Sequence, residues 1–221
     1  MRFDFSIYAT YWPLVWHGLL LTVASSTIAI ILSPIIGVGI VLARLARNPL
    51  AVCAAIVFVE LMRDLPFMVV LFLIFYLLPV LGLRLPAFAV GVATLSLYSA
   101  AYFSEIMRSA ILSVPNGQME SARATGMSHL QALRHVIAPQ MMGYFLPPAT
   151  NQAILVIKES SILSTITIAE LTMAGEIIQG YTYSPIEVFA LISVLYWLMC
   201  AATSRLGRWL EARFRVVGRA G

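Results

Sequence analysis

From Trp12 to Ala43 the chain carries no ionisable side chain except His17. A helix crosses a hydrocarbon core of roughly 30 Å with about 20 apolar residues, so this run alone is longer than one span. It also exceeds a secretory signal, whose apolar region is roughly 7–15 residues, and it offers no acceptable cleavage site. The same character continues along the chain: 61% of the 221 residues are hydrophobic and 11% are charged, against roughly 25% charged in soluble domains. A soluble globule of this size has no interior large enough for so much apolar surface. The chain is therefore read as one all-α integral membrane domain over residues 1–221.

Five segments qualify as spans, at about 13–42, 51–81, 86–110, 144–169 and 186–204. The second is too long for one straight helix and too short for two, and Glu60-Leu61-Met62-Arg63-Asp64-Leu65-Pro66 interrupts it. Basic residues set the direction. Arg44, Arg47, Arg108, Arg123, Arg134, Arg205, Arg208, Arg213, Arg215 and Arg219 fall on one side, whereas Arg2 and Arg84 fall on the other. The positive-inside rule then places the N-terminus outside and the C-terminus inside. After the last span, Leu206, Trp209, Leu210 and Phe214 share one helical face among arginines, so 205–221 reads as an amphipathic tail on anionic lipid.

The longest stretch outside the spans, about 113–139, has its own turn chemistry. Pro115 and Asn116 are helix-start signals, Gly126 is suited to a left-handed helix stop, and Ser128 with Gln131 forms a capping box. Two short helices joined by a glycine elbow are expected. Leu130, Leu133 and Ile137 give the second an apolar stripe, and Pro139 is expected to end it or to mark its turn into the membrane.

On these residues a resemblance stands out. Glu120-Ser121-Ala122 with Gly126 and Ile137-Ala138-Pro139 resembles the EAA loop of ABC importer permeases, with Ser121 and Ala138 departing from the family's Ala and Leu. Val59-Glu60-Leu61-Met62-Arg63-Asp64-Leu65-Pro66, Ala100-Ala101-Tyr102-Phe103-Ser104-Glu105 with Arg108, Pro115-Asn116-Gly117-Gln118-Met119-Glu120 and Lys158-Glu159-Ser160-Ser161-Ile162 are similar, in order, to motifs of the polar amino-acid permeases. The resemblance implies a type I (MetI-like) ABC importer fold in the bacterial inner membrane. It implies that the first loop helix, with Gly117, Gln118, Glu120, Ser121, Ala122, Arg123 and Gly126, couples to a dimer of separate ATP-hydrolysing subunits. It further implies a second permease chain, identical or sister, and a periplasmic binding protein. ATP and Mg would be held by the partner, and no Walker A sequence occurs in this chain. No cofactor, catalytic residue, metal site or nucleic-acid partner is expected.

Arg63, Asp64, Lys158 and Glu159 lie within apolar segments, where an ionised group costs at least roughly 2.5–3.5 kcal/mol on insertion scales. Together with Asn151 and Ser161 they either line a path for a polar solute or pin broken helices as two ion pairs. Glu105 and Arg108, three apart, are expected to pair. An ion-coupled secondary transporter or channel is the alternative function. An intramembrane enzyme lacks a histidine deep in any span or a ligand-spaced cluster.

Overall fold

The computed structural model describes residues 6–214; Arg2, Asp4, Arg215 and Arg219 lie outside the described residues. It is all helical. Helix α1 (Ser6–Arg44) runs unbroken through Pro13 and Pro34. Its buried stripe is built of small side chains, Gly18, Thr22, Ser25, Ser26, Ala29, Ser33 and Gly37. Small residues let helix backbones approach where lipid supplies no hydrophobic drive for association. A Cβ added at Gly37 would meet Ala100 O at 3.3 Å and Ser104 N at 3.2 Å, both on α4. The buried hydroxyls return to their own helix, Ser26 to Thr22 O at 2.6 Å and Ser33 to Ala29 O at 2.6 Å, so their burial leaves no unmet donor.

The second apolar segment is not a single straight helix. Asn48 caps α2 (Pro49–Asp64) by accepting from Leu50 N at 3.0 Å, and α2 stops where Leu65 turns extended ahead of Pro66. Helix α3 (Phe67–Val80) then leaves at 115° to α2. The break falls within the charged strip: Arg63-Asp64 ends the apolar run, and Pro66 supplies no N–H and favours the extended backbone that Leu65 adopts.

Helix α4 (Ala87–Leu112) is the most enclosed of the long helices and lies against α1, α2, α3 and α7. The loop helix α5 (Asn116–Ala124) and the four-residue α6 (His129–Ala132) follow. Pro139 does not end the second loop helix. Instead α6 widens into a π-helical turn, Leu133–Ile137, and runs directly into α7 (Ala138–Glu159), with Pro139 in the first turn of α7, immediately after the π turn. Of the expected apolar stripe only Ile137 is buried; Leu130 and Leu133 are exposed.

The segment expected to be helical from 144 to 169 begins earlier and ends earlier. After Glu159 it tightens into a 3₁₀ turn, Ser160–Ile166, and Thr167 takes a left-handed conformation, φ 66°. A short helix that the sequence did not announce, α8 (Leu171–Thr182), follows. The final helix α9 (Pro185–Arg213) continues past residue 204 without a break, so the described part of the amphipathic tail is an extension of the last apolar helix.

Two apolar cores result. One joins α3, α4 and α7 with the 3₁₀ turn through Phe67, Leu71, Leu95, Tyr98, Val156 and Leu163. The other joins α1, α8 and α9 through Val15, Leu171, Ile178 and Ile192. Helices α1, α4 and α9 are each long and apolar enough to cross a membrane, and the bent α2–α3 pair makes a fourth candidate. Helix α7 has the length but carries Gln140, Asn151, Gln152, Lys158 and Glu159 and does not reach the apolarity of the others.

Candidate coupling and translocation site

Helix α5 stands outside the bundle. Over residues 117–124 only Ala122 is buried; Gly117, Gln118, Glu120, Ser121 and Arg123 are exposed. Its end is built to a fixed angle. Gly126, at φ 89°, donates to Arg123 O at 3.0 Å, and Met127 N donates to Ala122 O at 3.3 Å. This 6→1 and 5→2 pair is a Schellman stop, which needs a residue that tolerates positive φ. Arg123 Nη1 reaches Met127 O at 3.4 Å and the Thr125 hydroxyl reaches Ala122 O at 2.8 Å, which closes the elbow further. Beyond it the capping box is complete, with Ser128 N donating to Gln131 Oε1 at 2.8 Å and Gln131 N to Ser128 Oγ at 3.2 Å. A side-chain hydrogen bond ties α5 to α7: Gln140 Nε2 donates to Gln118 Oε1 at 3.2 Å.

The charges inside apolar segments do not pair as neighbours. Among the described residues every ion pair is made to Glu105. Arg44 of α1 and Arg108 of α4 both hydrogen-bond it, Arg108 at 2.9 Å, and Arg63 of α2 stands 3.9 Å away. The expected Glu105–Arg108 pair is thus part of a cluster that gathers three arginines from three helices. Arg63 pins the α2–α3 elbow to α4, but its partner is Glu105 rather than Asp64. The tyrosines one and two turns up α4 complete the clasp: Tyr98 donates to Leu65 O at 3.2 Å and Tyr102 to Arg63 O at 3.4 Å. The Arg63 guanidinium also sits 5.9 Å from the Tyr102 ring centroid.

Asp64, Lys158 and Glu159 make no ion pair among the described residues. On α7, Asn151, Leu155 and Lys158 form an exposed stripe, while Gln152, Ala153, Val156 and Ile157 face inward. Seven residues separate Asn151 from Lys158, two turns, so both open on one space. Glu159 is half-buried, and its Oε2 is enclosed without a hydrogen-bond partner. Ser161 turns its hydroxyl back to Lys158 O at 2.7 Å. A polar stripe of this kind has no place against lipid and requires a protein or water-filled neighbour.

A buried carboxylate went unnoticed in the sequence. Glu170 is 0% exposed and caps α8. Its Oε1 accepts from Met173 N at 2.9 Å, and its Oε2 accepts from the Tyr196 hydroxyl of α9 at 2.8 Å and lies 3.3 Å from the Thr22 hydroxyl of α1. Thr22 Oγ1 in turn accepts from Leu171 N at 3.0 Å. The available signal was an acidic residue in an apolar run, just ahead of a helix whose first amide groups need a cap.

With this geometry in hand, comparison with known proteins is direct. Residues 35–216 match the model of the family described as binding-protein-dependent transport system inner membrane component. The chain is 34% identical to the probable amino-acid ABC transporter permease protein YckA of Bacillus subtilis (strain 168), over 91% of this chain and 89% of that one. It is 32% identical to the glutamine transport system permease protein GlnP of Escherichia coli (strain K12), over 98% and 100%. Among solved structures it resembles a chain of an amino acid ABC transporter crystallised with histidines, at TM-score 0.87 and 36% identity over 96% of this chain and 100% of that one. The inward-facing MetNI methionine ABC transporter shares the fold, at TM-score 0.75 and 20% identity over 92% and 97%. Several long apolar helices and this kinship make it a multi-pass protein of the bacterial inner membrane. The chain belongs to the family of binding-protein-dependent transport system inner membrane components, the membrane permeases of ABC importers.

Proposed function

We propose that this permease forms half of the translocation channel of an ATP-driven importer of a polar amino acid or related solute. Five spans cross the membrane, N-terminus outside and C-terminus inside: α1, the bent α2–α3 pair, α4, α7 with its 3₁₀ extension, and α9. Two permease chains, identical or sister, enclose the path, and the polar stripe Asn151–Lys158 of α7 faces it together with Arg63, Asp64, Glu159 and Ser161. Two separate subunits hold ATP and Mg and dock on α5 around Glu120, so this chain is not itself an enzyme. A periplasmic binding protein delivers the solute. Closure of the ATPase dimer moves the rigid α5–elbow–α6 unit and switches the cavity between its two faces.

The observation that carries this reading is the exposed α5. It is a polar helix held clear of the bundle by a stop that fixes its angle, with little of it packed against its own chain. Small residues, Ser121, Ala122 and Ala124, suit a close docking surface, and Glu120 offers a carboxylate for charge-assisted hydrogen bonds. Relatives named as amino-acid and glutamine permeases support an amino acid as cargo. An ion-coupled transporter or channel has no use for such a loop, and the family speaks against it. The test is reconstitution with the cognate ATPase and binding protein in proteoliposomes. Uptake of labelled amino acid should require ATP inside the compartment that α5 faces. Uptake by this chain alone, driven by an ion gradient, would refute the reading.

A further inference from the structure

The hydrogen bond between Gln118 and Gln140 joins two parts of the chain that the backbone connects only through an elbow and a widened turn. Gln118 lies in the first turns of α5 and Gln140 in the first turn of α7. Between them stand the Gly126 stop, the four-residue α6 and the π turn Leu133–Ile137, closed by Ala138 N donating to Leu133 O. Such i→i+5 turns are rare and occur mostly as local interruptions at functional sites. A push on α5 that travelled along the backbone alone would cross the rigid elbow and then the π turn, where the regular helix ladder is interrupted. The amide pair bypasses them.

Gln140 is well placed for this work. Its Nε2 also donates to Val136 O at 3.0 Å, inside the π turn, so one amide group holds both the turn and α5. Helix α7 then runs from Gln140 to Glu159, about 28 Å at its usual rise, and carries the polar stripe at its far half. It packs closely on α9 where Gly207 meets Thr150.

We propose that Gln118 and Gln140 form a strut that transmits the displacement of α5 into α7, with the π turn as the pivot. Both are positioning residues for transport. The inference rests on α5 being the ATPase contact. Among the described residues Gln118 makes no other side-chain hydrogen bond, and the strut is one net hydrogen bond, so its loss weakens coupling without abolishing it.

The experiment uses the assembled transporter in proteoliposomes and reads solute imported per ATP hydrolysed. Gln118→Leu and Gln140→Leu should each lower that ratio by about threefold to tenfold, the range that one net hydrogen bond supports. The double variant should be no worse than either single one. Gln118→Glu keeps the acceptor and should keep the ratio, and Gln118→Glu with Gln140→Lys should restore it through an ion pair. Additive losses, or no rescue by the ion pair, overturn the strut. Glu120→Arg is measured alongside. If it lowers the ratio and Gln140→Leu does not, the strut alone fails; if Glu120→Arg leaves the ratio intact, the assignment of α5 as the ATPase contact fails with it.

Discussion

Gly207 of α9 lies so close to Thr150 of α7 that a Cβ built on it would stand 2.2 Å from Thr150 Cγ2 and 2.4 Å from Oγ1. No side chain fits between the two helices at this level. Gly207→Ala should therefore lower stability by about 2 kcal/mol, within the range for overpacking a tight contact, and a larger residue by more. Thermal unfolding of the purified permease in detergent measures it. Thr150→Gly should recover most of the loss, because the three atoms in conflict all belong to that side chain.

Glu170 is stabilised by hydrogen bonds, with no cation beside it among the described ion pairs. Glu170→Ala removes the cap of α8, leaves Met173 N–H without its acceptor and leaves the Tyr196 hydroxyl with Thr172 as its remaining partner. A loss of about 3 kcal/mol is expected from one cap and one buried charged acceptor. Glu170→Gln keeps the shape and should lose less. Denaturation followed by tryptophan fluorescence would rank the two, and equal stability of Glu170→Ala and the native chain would contradict this account.

The Glu105 cluster makes an ordering testable. Glu105→Gln leaves three arginines facing one another and should be the most destabilising change, by about 3 kcal/mol or more. Arg44→Met removes the most enclosed arginine and should come second; its side chain is 16% exposed. Arg63→Met should cost under about 1 kcal/mol, since Arg63 is 46% exposed and 3.9 Å from the carboxylate. The order, read from melting temperatures, is the test.

Gly126→Pro cannot adopt φ 89° and loses the N–H that closes the α5 stop. The protein should still insert in the membrane, while ATP-driven uptake falls to background. Gly126→Ala, with a left-handed cost of about 1 kcal/mol, should show an intermediate uptake rate. Wild-type uptake by both variants would show that the elbow angle is irrelevant.

Lys158 tests the path. It is exposed, without an ion pair among the described residues and on the same face as Asn151. Lys158→Ala should change the rate of uptake and the preference among acidic, neutral and basic amino acids. An unchanged rate and preference would assign the residue a purely structural part.

How far the sequence carried the fold depends on the range of each interaction. The α5 stop and the capping box were legible because Gly126, Ser128 and Gln131 act within four residues. The elbow was legible because charges and Pro66 break an apolar run, and α1, α4 and α9 because length and apolarity suffice. Helix α8 was not, since twelve residues of mixed apolar character look the same as the end of a span. The partners of Glu105 were hidden for another reason: Arg44 lies 61 positions away, and its charge was accounted for by topology alone. Glu170 combines both difficulties, with partners at Thr22 and Tyr196 that only the folded chain brings together.

The clasp on the α2–α3 elbow is made by side chains rather than by backbone. The carbonyls of Arg63 and Leu65 are met by phenolic hydroxyls from α4, not by amide groups of a continuing helix. Opening this elbow therefore unwinds no helix: the two hydroxyl contacts can pass to water, and the remaining cost is parting Phe67 and Leu71 of α3 from Leu95 and Tyr98 of α4. The permease thus keeps, at the edge of its apolar core, a joint whose two carbonyls can change partners while every helix stays intact.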